Sequence, residues 1–251
     1  MAGPFLHIVD NLLYSETVTV KSKTALILLT YRRLEHFNKT VKCINSQTNK
    51  DFDLYIANNS YHDEKLLKGI NKRLGDSKLN IYVKNYYNEF KPFSRFLIAQ
   101  ELAHEGYEKI IFIDDDEIFP NTFIQDCYDQ YEDNAFKSFY GHIVKDDYWK
   151  KEKLKLNQLG NYAGTGGLVC PAKFFLDECF FSCPEEFYII DDLWLSYYIL
   201  QYTDYKIKLL DTNIEFIRDL KATAIGLKEV KRNFASDFLI PASKHAGLNL
   251  Q

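Results

Sequence analysis

Short apolar runs alternate with helical repeats in the first half of the chain. Four runs have the length and composition of buried strands: Thr24–Leu29, Leu54–Ala57, Leu79–Val83 and Ile110–Ile113. A helical repeat follows the first run and is carried by Leu34, Phe37, Val41 and Ile44. A second helix is predicted over Pro92–His104, ahead of Gly106. This alternation predicts an α/β fold with a mostly parallel sheet that helices cover on both faces.

The second half has a different pattern. Ala135–Val144 predicts one longer strand, Leu168–Cys170 a short strand, and Asp192–Tyr202 a helix whose aromatic and aliphatic residues make it largely buried. Residues 242–251 lack an apolar period and contain Gly247, so we expect a mobile tail. No Pro/Gly/Ser-rich linker interrupts the chain, which indicates a single domain over residues 1–251.

Composition narrows the class of partner. The chain has 31 Lys and Arg against 35 Asp and Glu, a formal charge of −4, without a basic block. A nucleic-acid surface needs a cationic excess, so a small-molecule partner is favoured. No early apolar run approaches the roughly 20 residues of a membrane span, and the first ten residues do not resemble a secretory signal. Five scattered cysteines suit reduced thiols, and we expect a cytoplasmic protein.

Polar residues follow each predicted strand. They are Thr30, Tyr31 and Arg33 after the first strand, Asn58 and Asn59 after the second, and Asp114, Asp115 and Asp116 after the fourth. Ligands of parallel α/β sheets bind at the carboxyl ends of the strands, so a site is predicted at this edge.

The triple aspartate is the strongest chemical signal. Three adjacent carboxylates at the end of a buried strand repel one another unless a cation lies between them. Hard oxygen ligands favour Mg²⁺ or Mn²⁺, which commonly share their coordination with substrate phosphates. Alternation along the strand end places Asp114 and Asp116 on one side and Asp115 on the other. The alternative is a solvated acidic turn, which the burial of the strand disfavours.

These motifs, in this order, resemble the metal-dependent glycosyltransferases of the GT-A fold, most closely the family 2 group. The resemblance covers about residues 24 to 210. It rests on the turn Thr30–Arg33, Asn58-Asn59-Ser60, Phe93-Ser94-Arg95 and the DxD motif Asp114-x-Asp116. It implies a single GT-A domain with a nucleotide-binding half, 1–113, and a half for metal, acceptor and catalysis, 114–251. It also implies a smaller mixed sheet near the acceptor side.

The resemblance assigns roles to the polar strand ends. Thr30, Tyr31 and Arg33 belong to the nucleotide-binding turn, and Asn58 and Asn59 stand where the family usually has an Asp for the base. Because an amide both donates and accepts, it suits a pyrimidine edge, and UDP is the favoured nucleotide although the base identity stays open. Arg95 is expected near the diphosphate. Asp114 is expected near the ribose and the metal, Asp115 near the donor, and Asp116 on the metal.

Later segments extend the resemblance. The loop 161–167 places Gly166 and Gly167 where donor sugar and acceptor approach the backbone. Asp191 and Asp192 match the acidic pair of the catalytic helix, with Asp192 as the base of an inverting enzyme, charged at neutral pH. A helix N-cap is the alternative role for either residue. His245 stands where the family often has a further metal ligand, and an ordinary tail residue is the alternative.

The function expected from the resemblance is Mn²⁺- or Mg²⁺-dependent transfer of a sugar, with inversion, from a nucleotide-sugar to a hydroxyl of a glycan or glycoconjugate. A haloacid-dehalogenase-type phosphatase also uses DxDx and a later Asp-Asp, but its DxDx strand normally opens the domain. A nucleotidyltransferase would want a glycine-rich turn after the first strand, and Thr30–Arg33 contains no glycine. A non-catalytic nucleotide-sugar-binding module is the remaining alternative.

Overall fold

A computed structural model describes residues 22–59, 79–86, 90–217 and 227–248. In these ranges the strands are β1 (Thr24–Thr30), β2 (Asp53–Asn58), β3 (Ile81–Asn85), β4 (Lys109–Asp114), β5 (Glu117–Ile118), β6 (Ala135–Ser138), β7 (Gly141–Ile143), β8 (Glu152–Lys153), β9 (Leu159–Gly160), β10 (Tyr162–Ala163), β11 (Leu168–Pro171), β12 (Lys206–Leu209) and β13 (Glu215–Phe216). The α-helices are α1 (Leu34–Asn45), α2 (Ser94–His104), α3 (Phe123–Gln130), α4 (Asp191–Tyr202), α5 (Lys228–Phe234) and α6 (Ile240–His245). Short 3-10 turns cover Lys91–Phe93, Tyr148–Lys150, Ala172–Leu176, Glu178–Phe181 and Glu185–Ile190.

Eight strands form the central sheet, in the order β3-β2-β1-β4-β11-β6-β12-β9. Four of its seven strand pairings are parallel: β3 with β2, β2 with β1, β1 with β4, and β6 with β12. The predicted mostly parallel α/β sheet is therefore confirmed, with β3 beginning at Ile81, two residues later than the sequence pattern indicates. The smaller sheets, β10-β7-β8 and β13-β5, contain only antiparallel pairs. The expectation of a smaller mixed sheet is therefore wrong.

Both faces of the sheet are covered, as predicted. Alternate residues of β1 enter two different cores, because successive strand side chains point to opposite faces. Ala25 and Ile27 pack in the core that includes α2 and α4, whereas Leu26 and Leu28 pack with α1 and α3. The register sets Thr30 opposite Asn58 and Leu29 opposite Asp114, so the polar strand ends meet at one edge of the sheet.

The predicted single strand over Ala135–Val144 is wrong. The chain leaves the central sheet after Ser138 and enters the small sheet at Gly141. The Ser138 hydroxyl accepts a hydrogen bond from the Tyr140 amide at 3.0 Å and donates to the Gly164 carbonyl at 2.7 Å. These two bonds hold the turn of the chain at residues 139 and 140.

The expected mobile tail is also wrong for residues 242–245. They belong to α6, which continues from α5 through a π-helical turn over Ala235–Leu239. Ala242 and Ser243 are buried, and the Ser243 hydroxyl donates to the Leu239 carbonyl at 2.6 Å and accepts from Asn161 Nδ2 at 2.9 Å. Two small residues facing the protein replace the apolar period that the sequence lacks.

Candidate active site

Five carboxyl groups gather beyond the end of β4, and we call them the acidic cluster: Asp114, Asp115, Asp116, Glu117 and Asp191. Asp115, Glu117 and Asp191 are buried, and Asp114 and Asp116 are partly buried. Two arginines enter this cluster, Arg33 from the turn after β1 and Arg95 from the first turn of α2. The number of carboxyl groups exceeds the number of guanidinium groups, so the cluster favours a further cation.

Asp115 holds the turn after β1. Its Oδ2 accepts hydrogen bonds from the Thr30 hydroxyl at 2.8 Å and from the Tyr31 amide at 3.1 Å, and its Oδ1 lies 2.5 Å from Arg33 Nη2. Burial raises the pKa of Asp115 to about 7, against the opposing effect of Arg33. The structure thus brings four of the predicted residues together around buried Asp115, and the predicted place of Asp115 near the donor stays a prediction.

Arg33 also reaches Asp116, with Nη1 2.7 Å from Asp116 Oδ2. The Arg33 side chain is one-third exposed, whereas the side chain of its other partner, Asp115, is almost completely buried. Arg33 therefore pairs with Asp116, the carboxylate that the resemblance assigns to the metal. In this state it supplies the positive charge that Asp115 and Asp116 require.

Arg95 joins the two acidic motifs. Its Nη2 lies 2.8 Å from Asp114 Oδ1, and its Nε lies 3.1 Å from Asp191 Oδ2. The Arg95 side chain is only 3% exposed, so its ion pair with buried Asp191 is shielded from water, whereas Asp114 is 28% exposed. Burial raises the pKa of Asp191, and Arg95 opposes that shift. The end of β4 and the start of α4 are consequently held together by one buried guanidinium.

Glu117 is a site residue that the sequence analysis missed. Its Oε2 accepts a hydrogen bond from the Asp114 amide at 3.0 Å, and burial together with Asp114 raises the pKa of Glu117 well above its usual range. A Cβ on Gly166 would lie 2.0 Å from Glu117 Oε1, so residue 166 must be glycine for this approach. The signal for Glu117 was a fourth acid directly after the three aspartates.

Gly167 has its own reason to be glycine. Its φ is +61°, and a Cβ there would lie 2.2 Å from Ile214 Cδ1. Both glycines thus allow protein groups to pack against the loop backbone. Their predicted role toward donor and acceptor stays a prediction.

The residues of the acidic cluster fit a hard divalent cation. Burial and the neighbouring Asp114 carboxylate raise the pKa of Asp116 and of Glu117, and carboxylate oxygens are the ligands that Mg²⁺ and Mn²⁺ prefer. Within the described ranges, Glu117 Oε1 and Arg95 Nη1 are buried without a hydrogen-bond partner, the first suited to a cation and the second to a phosphate oxygen. No three acidic, histidine or cysteine side chains of the described residues are already spaced as a metal site. His245 lies exposed at the end of α6.

The two asparagines after β2 are buried. Asn58 Nδ2 donates to Asn85 Oδ1 at 2.9 Å, which ties the ends of β2 and β3. Asn59 donates its side-chain Nδ2 to the Lys91 carbonyl at 2.7 Å and its amide to the Thr30 carbonyl at 3.0 Å. Among the atoms of the described chain, Asn59 Oδ1 has no hydrogen-bond donor. One amide oxygen is therefore available beside the turn after β1.

Asp192, in the first turn of α4, faces a different set of partners. Its Oδ2 accepts a hydrogen bond from the Tyr162 hydroxyl at 2.5 Å and lies 3.1 Å from Lys231 Nζ. Burial opposes ionisation, but Lys231 and Tyr162 hold the pKa of Asp192 below its usual value. The predicted charged state agrees with this direction. Lys231, on α5, had no signal in the sequence, because it lies 39 positions from Asp192.

The sequence matches no family model and no curated protein. Solved structures do resemble this one. The mannosyltransferase PcManGT from Pyrobaculum calidifontis, in complex with GDP-Man and Mn²⁺, aligns with a TM-score of 0.63 and 14% identity over 96% of this chain and 73% of its own. Residues 1–349 of S. aureus TarS, in complex with UDP, align with a TM-score of 0.54 and 17% identity over 76% of this chain, which spans 59% of the TarS chain. These likenesses confirm the GT-A fold.

None of the helices in the described part of the chain has both the length and the apolar character that crossing a bilayer requires.

Proposed function

We propose that this protein is a metal-dependent glycosyltransferase that moves a sugar from a nucleoside diphosphate sugar to a hydroxyl of a glycan or glycoconjugate. The main support for this proposal is that Arg95 pairs with two acidic residues at once, with Asp114 at 2.8 Å and with Asp191 at 3.1 Å. A candidate metal-binding carboxylate and the helix that bears a candidate base are thereby fixed at one edge of the sheet. The neighbours crystallised with UDP and with GDP-Man and Mn²⁺ support it.

In this proposal residues 1–113 supply most of the nucleotide site and residues 114–251 the metal and acceptor sites. Thr30, Tyr31 and Arg33 form the turn beside the nucleotide, and Asn59 Oδ1 accepts an N–H from the base. Uracil, thymine and guanine each offer such an N–H, and a UDP-sugar is the first donor to test because the TarS neighbour is in complex with UDP. The loop of Gly166 and Gly167, which packs against Glu117 and Ile214, lies beside the donor sugar and the acceptor.

Asp114 and Asp116 would hold Mn²⁺ or Mg²⁺, with His245 as a further ligand in the donor complex. When bound, the metal neutralises the leaving diphosphate. Arg33 has to leave Asp116 for this carboxylate to coordinate, and its guanidinium is then free to bind a phosphate oxygen. Arg95 presents its buried Nη1 to the diphosphate while its other nitrogens keep Asp114 and Asp191 in place.

Asp192 takes the proton of the acceptor hydroxyl at Oδ2 as that oxygen attacks the anomeric carbon. A single displacement of this kind inverts the configuration. Because Lys231 lowers the proton affinity of Asp192, the ion pair must loosen for the carboxylate to act as a base. Asp191 is bound to Arg95 and acts as a positioning residue for the start of α4.

Calorimetric titration with UDP-, GDP- and dTDP-sugars, in Mn²⁺ and in EDTA, tests the proposal. We expect one donor class to bind in Mn²⁺ and to lose most of its affinity in EDTA. Asp116→Asn should bind as weakly in Mn²⁺ as the native protein does in EDTA, and Asp204→Asn, at an exposed aspartate, is the matched control. Equal affinity in both conditions, or no binding of any donor, would contradict it.

A further inference from the structure

Lys151 lies beside Asp192 without a carboxylate of its own. Its side chain is half-buried, with Nζ 3.8 Å from the centroid of the Tyr148 ring and 5.1 Å from that of Tyr162. In the part of the chain that the structure describes, no acidic side chain comes within salt-bridge distance of Lys151. Ring faces stabilise an ammonium group less completely than a carboxylate does, so Lys151 retains capacity for an anion.

Lys231 approaches the same aromatic wall from α5. Its Nζ lies 5.5 Å from the Tyr148 ring centroid and 3.1 Å from Asp192 Oδ2. We call Lys151 and Lys231 the lysine pair. Burial lowers the pKa of Lys151 to about 8; Asp192 opposes this shift and Lys231 adds to it. Asp192 therefore pairs with Lys231 only, and the Lys151 ammonium group on the same aromatic wall leaves an excess of positive charge next to the candidate base.

A flat aromatic surface borders this excess. The Trp149 side chain is exposed, its indole ring packs edge-on against Tyr148 at 5.0 Å, and its centroid lies 5.8 Å from Lys151 Nζ. Exposed indole faces suit the apolar face of a sugar ring. A polyhydroxylated molecule that carries a negative charge would find an aromatic ring for its apolar face and ammonium groups for its charge.

We propose that the acceptor carries an anionic group, a phosphate or a carboxylate, close to the hydroxyl that accepts the sugar, and that the lysine pair binds this group. That this molecule accepts a sugar rests on the proposed function. The anion also competes with Asp192 for Lys231. Binding of the acceptor thus loosens the ion pair that lowers the proton affinity of the base, so the base is freed when its substrate is present.

The test uses small probes without nucleotide or metal, so that it does not depend on glycosyl transfer. Glycerol 3-phosphate and glucuronate are titrated by tryptophan fluorescence, with glycerol and methyl glucoside as neutral counterparts. We expect saturable binding of at least one anion, no saturation with its neutral counterpart, and weaker binding as salt rises. Lys151→Gln should weaken the anion about tenfold, the scale of one charged hydrogen bond. Lys151→Arg should retain binding.

Lys155→Gln is the matched control, because Lys155 is an exposed lysine of the same segment. Circular dichroism establishes that each variant is folded. Equal affinity for charged and neutral probes, or equal losses in Lys151→Gln and Lys155→Gln, would overturn the anionic acceptor even if a nucleotide-sugar binds with Mn²⁺. A different outcome is anion binding that Lys151→Gln abolishes, in a protein that binds no nucleotide-sugar. That result would support the anion site and contradict the proposed transferase function.

Discussion

The two ends of the candidate site have opposite charge imbalances. In the acidic cluster, five carboxyl groups meet two guanidinium groups, of which Arg95 is buried and Arg33 is one-third exposed. Around Asp192, one carboxylate pairs with Lys231, and the ammonium group of Lys151 lies on the neighbouring Tyr148 ring without a carboxylate of its own. The first imbalance suits a divalent cation with its diphosphate, and the second suits an anionic acceptor. In our proposal, this difference distinguishes a donor side, which includes Asp191, from an acceptor side at Asp192.

The largest effect is expected from removing Arg95, which links the two ends. Arg95→Met leaves Asp114 and Asp191 without their buried partner, and breaking a buried ion pair in this way costs about 3–5 kcal/mol. Urea unfolding should show a loss of that size. Lys84→Met is the control, since its ion pair with Glu101 is partly exposed and should cost far less. Equal losses would mean that Arg95 does not hold the two motifs together.

Asp192→Asn tests whether the two ends of the candidate site have separate functions, proton transfer at Asp192 and donor binding at the acidic cluster. The amide keeps the shape of the side chain but cannot take a proton, so transfer should fall at least about 100-fold. Donor affinity should stay within error of the native value, because the acidic cluster is untouched. Normal transfer by Asp192→Asn, with loss in Asp191→Asn, would place the base one residue earlier. Kinetics and calorimetry on the same preparations decide between them.

Gly166→Ala tests how closely the acidic cluster is packed. The new Cβ would lie 2.0 Å from Glu117 Oε1, and overpacking of this kind costs about 1–3 kcal/mol. Glu117→Ala removes the clashing carboxyl group, so the double variant should lose less than the sum of the two single losses. Simple additivity in the double-mutant cycle would show that the contact does not limit residue 166.

Arg33→Gln should give the smallest change in stability. It removes a partly exposed cation from Asp115 and Asp116, for which we expect about 1 kcal/mol in metal-free buffer. Mn²⁺ should recover most of that loss, because the metal replaces the missing charge. Thermal unfolding with and without Mn²⁺ measures both values, and Arg32→Gln is the exposed neighbouring control. A loss that Mn²⁺ leaves unchanged would separate Arg33 from the metal site.

The sequence predicts β1, β2 and β4 well, because each contains a continuous apolar run that ends in polar residues, whereas β3 is half-buried and begins two residues later than predicted. It therefore also predicts which residues meet at the edge, Thr30, Asn58 and Asp114 among them. It does not predict the break after Ser138, which depends on a side-chain hydrogen bond to Gly164. Nor does local periodicity reveal α6, whose buried face is made of small residues.

The partners inside the site were the least predictable part. The contacts of Arg33 and Arg95 depend on strand register and on burial. Local composition predicts neither of these. Lys231 comes from a distant helix, so no motif joins it to Asp192. Residue types at strand ends predict where chemistry occurs, whereas the charge balance of a site appears only in three dimensions.

The most direct test of the central proposal is the release of nucleoside diphosphate from a nucleotide-sugar. UDP-sugars are incubated first, then GDP- and dTDP-sugars, with Mn²⁺ and an anionic hydroxyl acceptor, and the nucleotide is quantified by chromatography. We expect release of nucleoside diphosphate that EDTA abolishes and that falls sharply in Asp116→Asn and Asp192→Asn. Failure of every donor to turn over in the folded, Mn²⁺-loaded protein, together with release of inorganic phosphate from a phosphorylated small molecule, would contradict it.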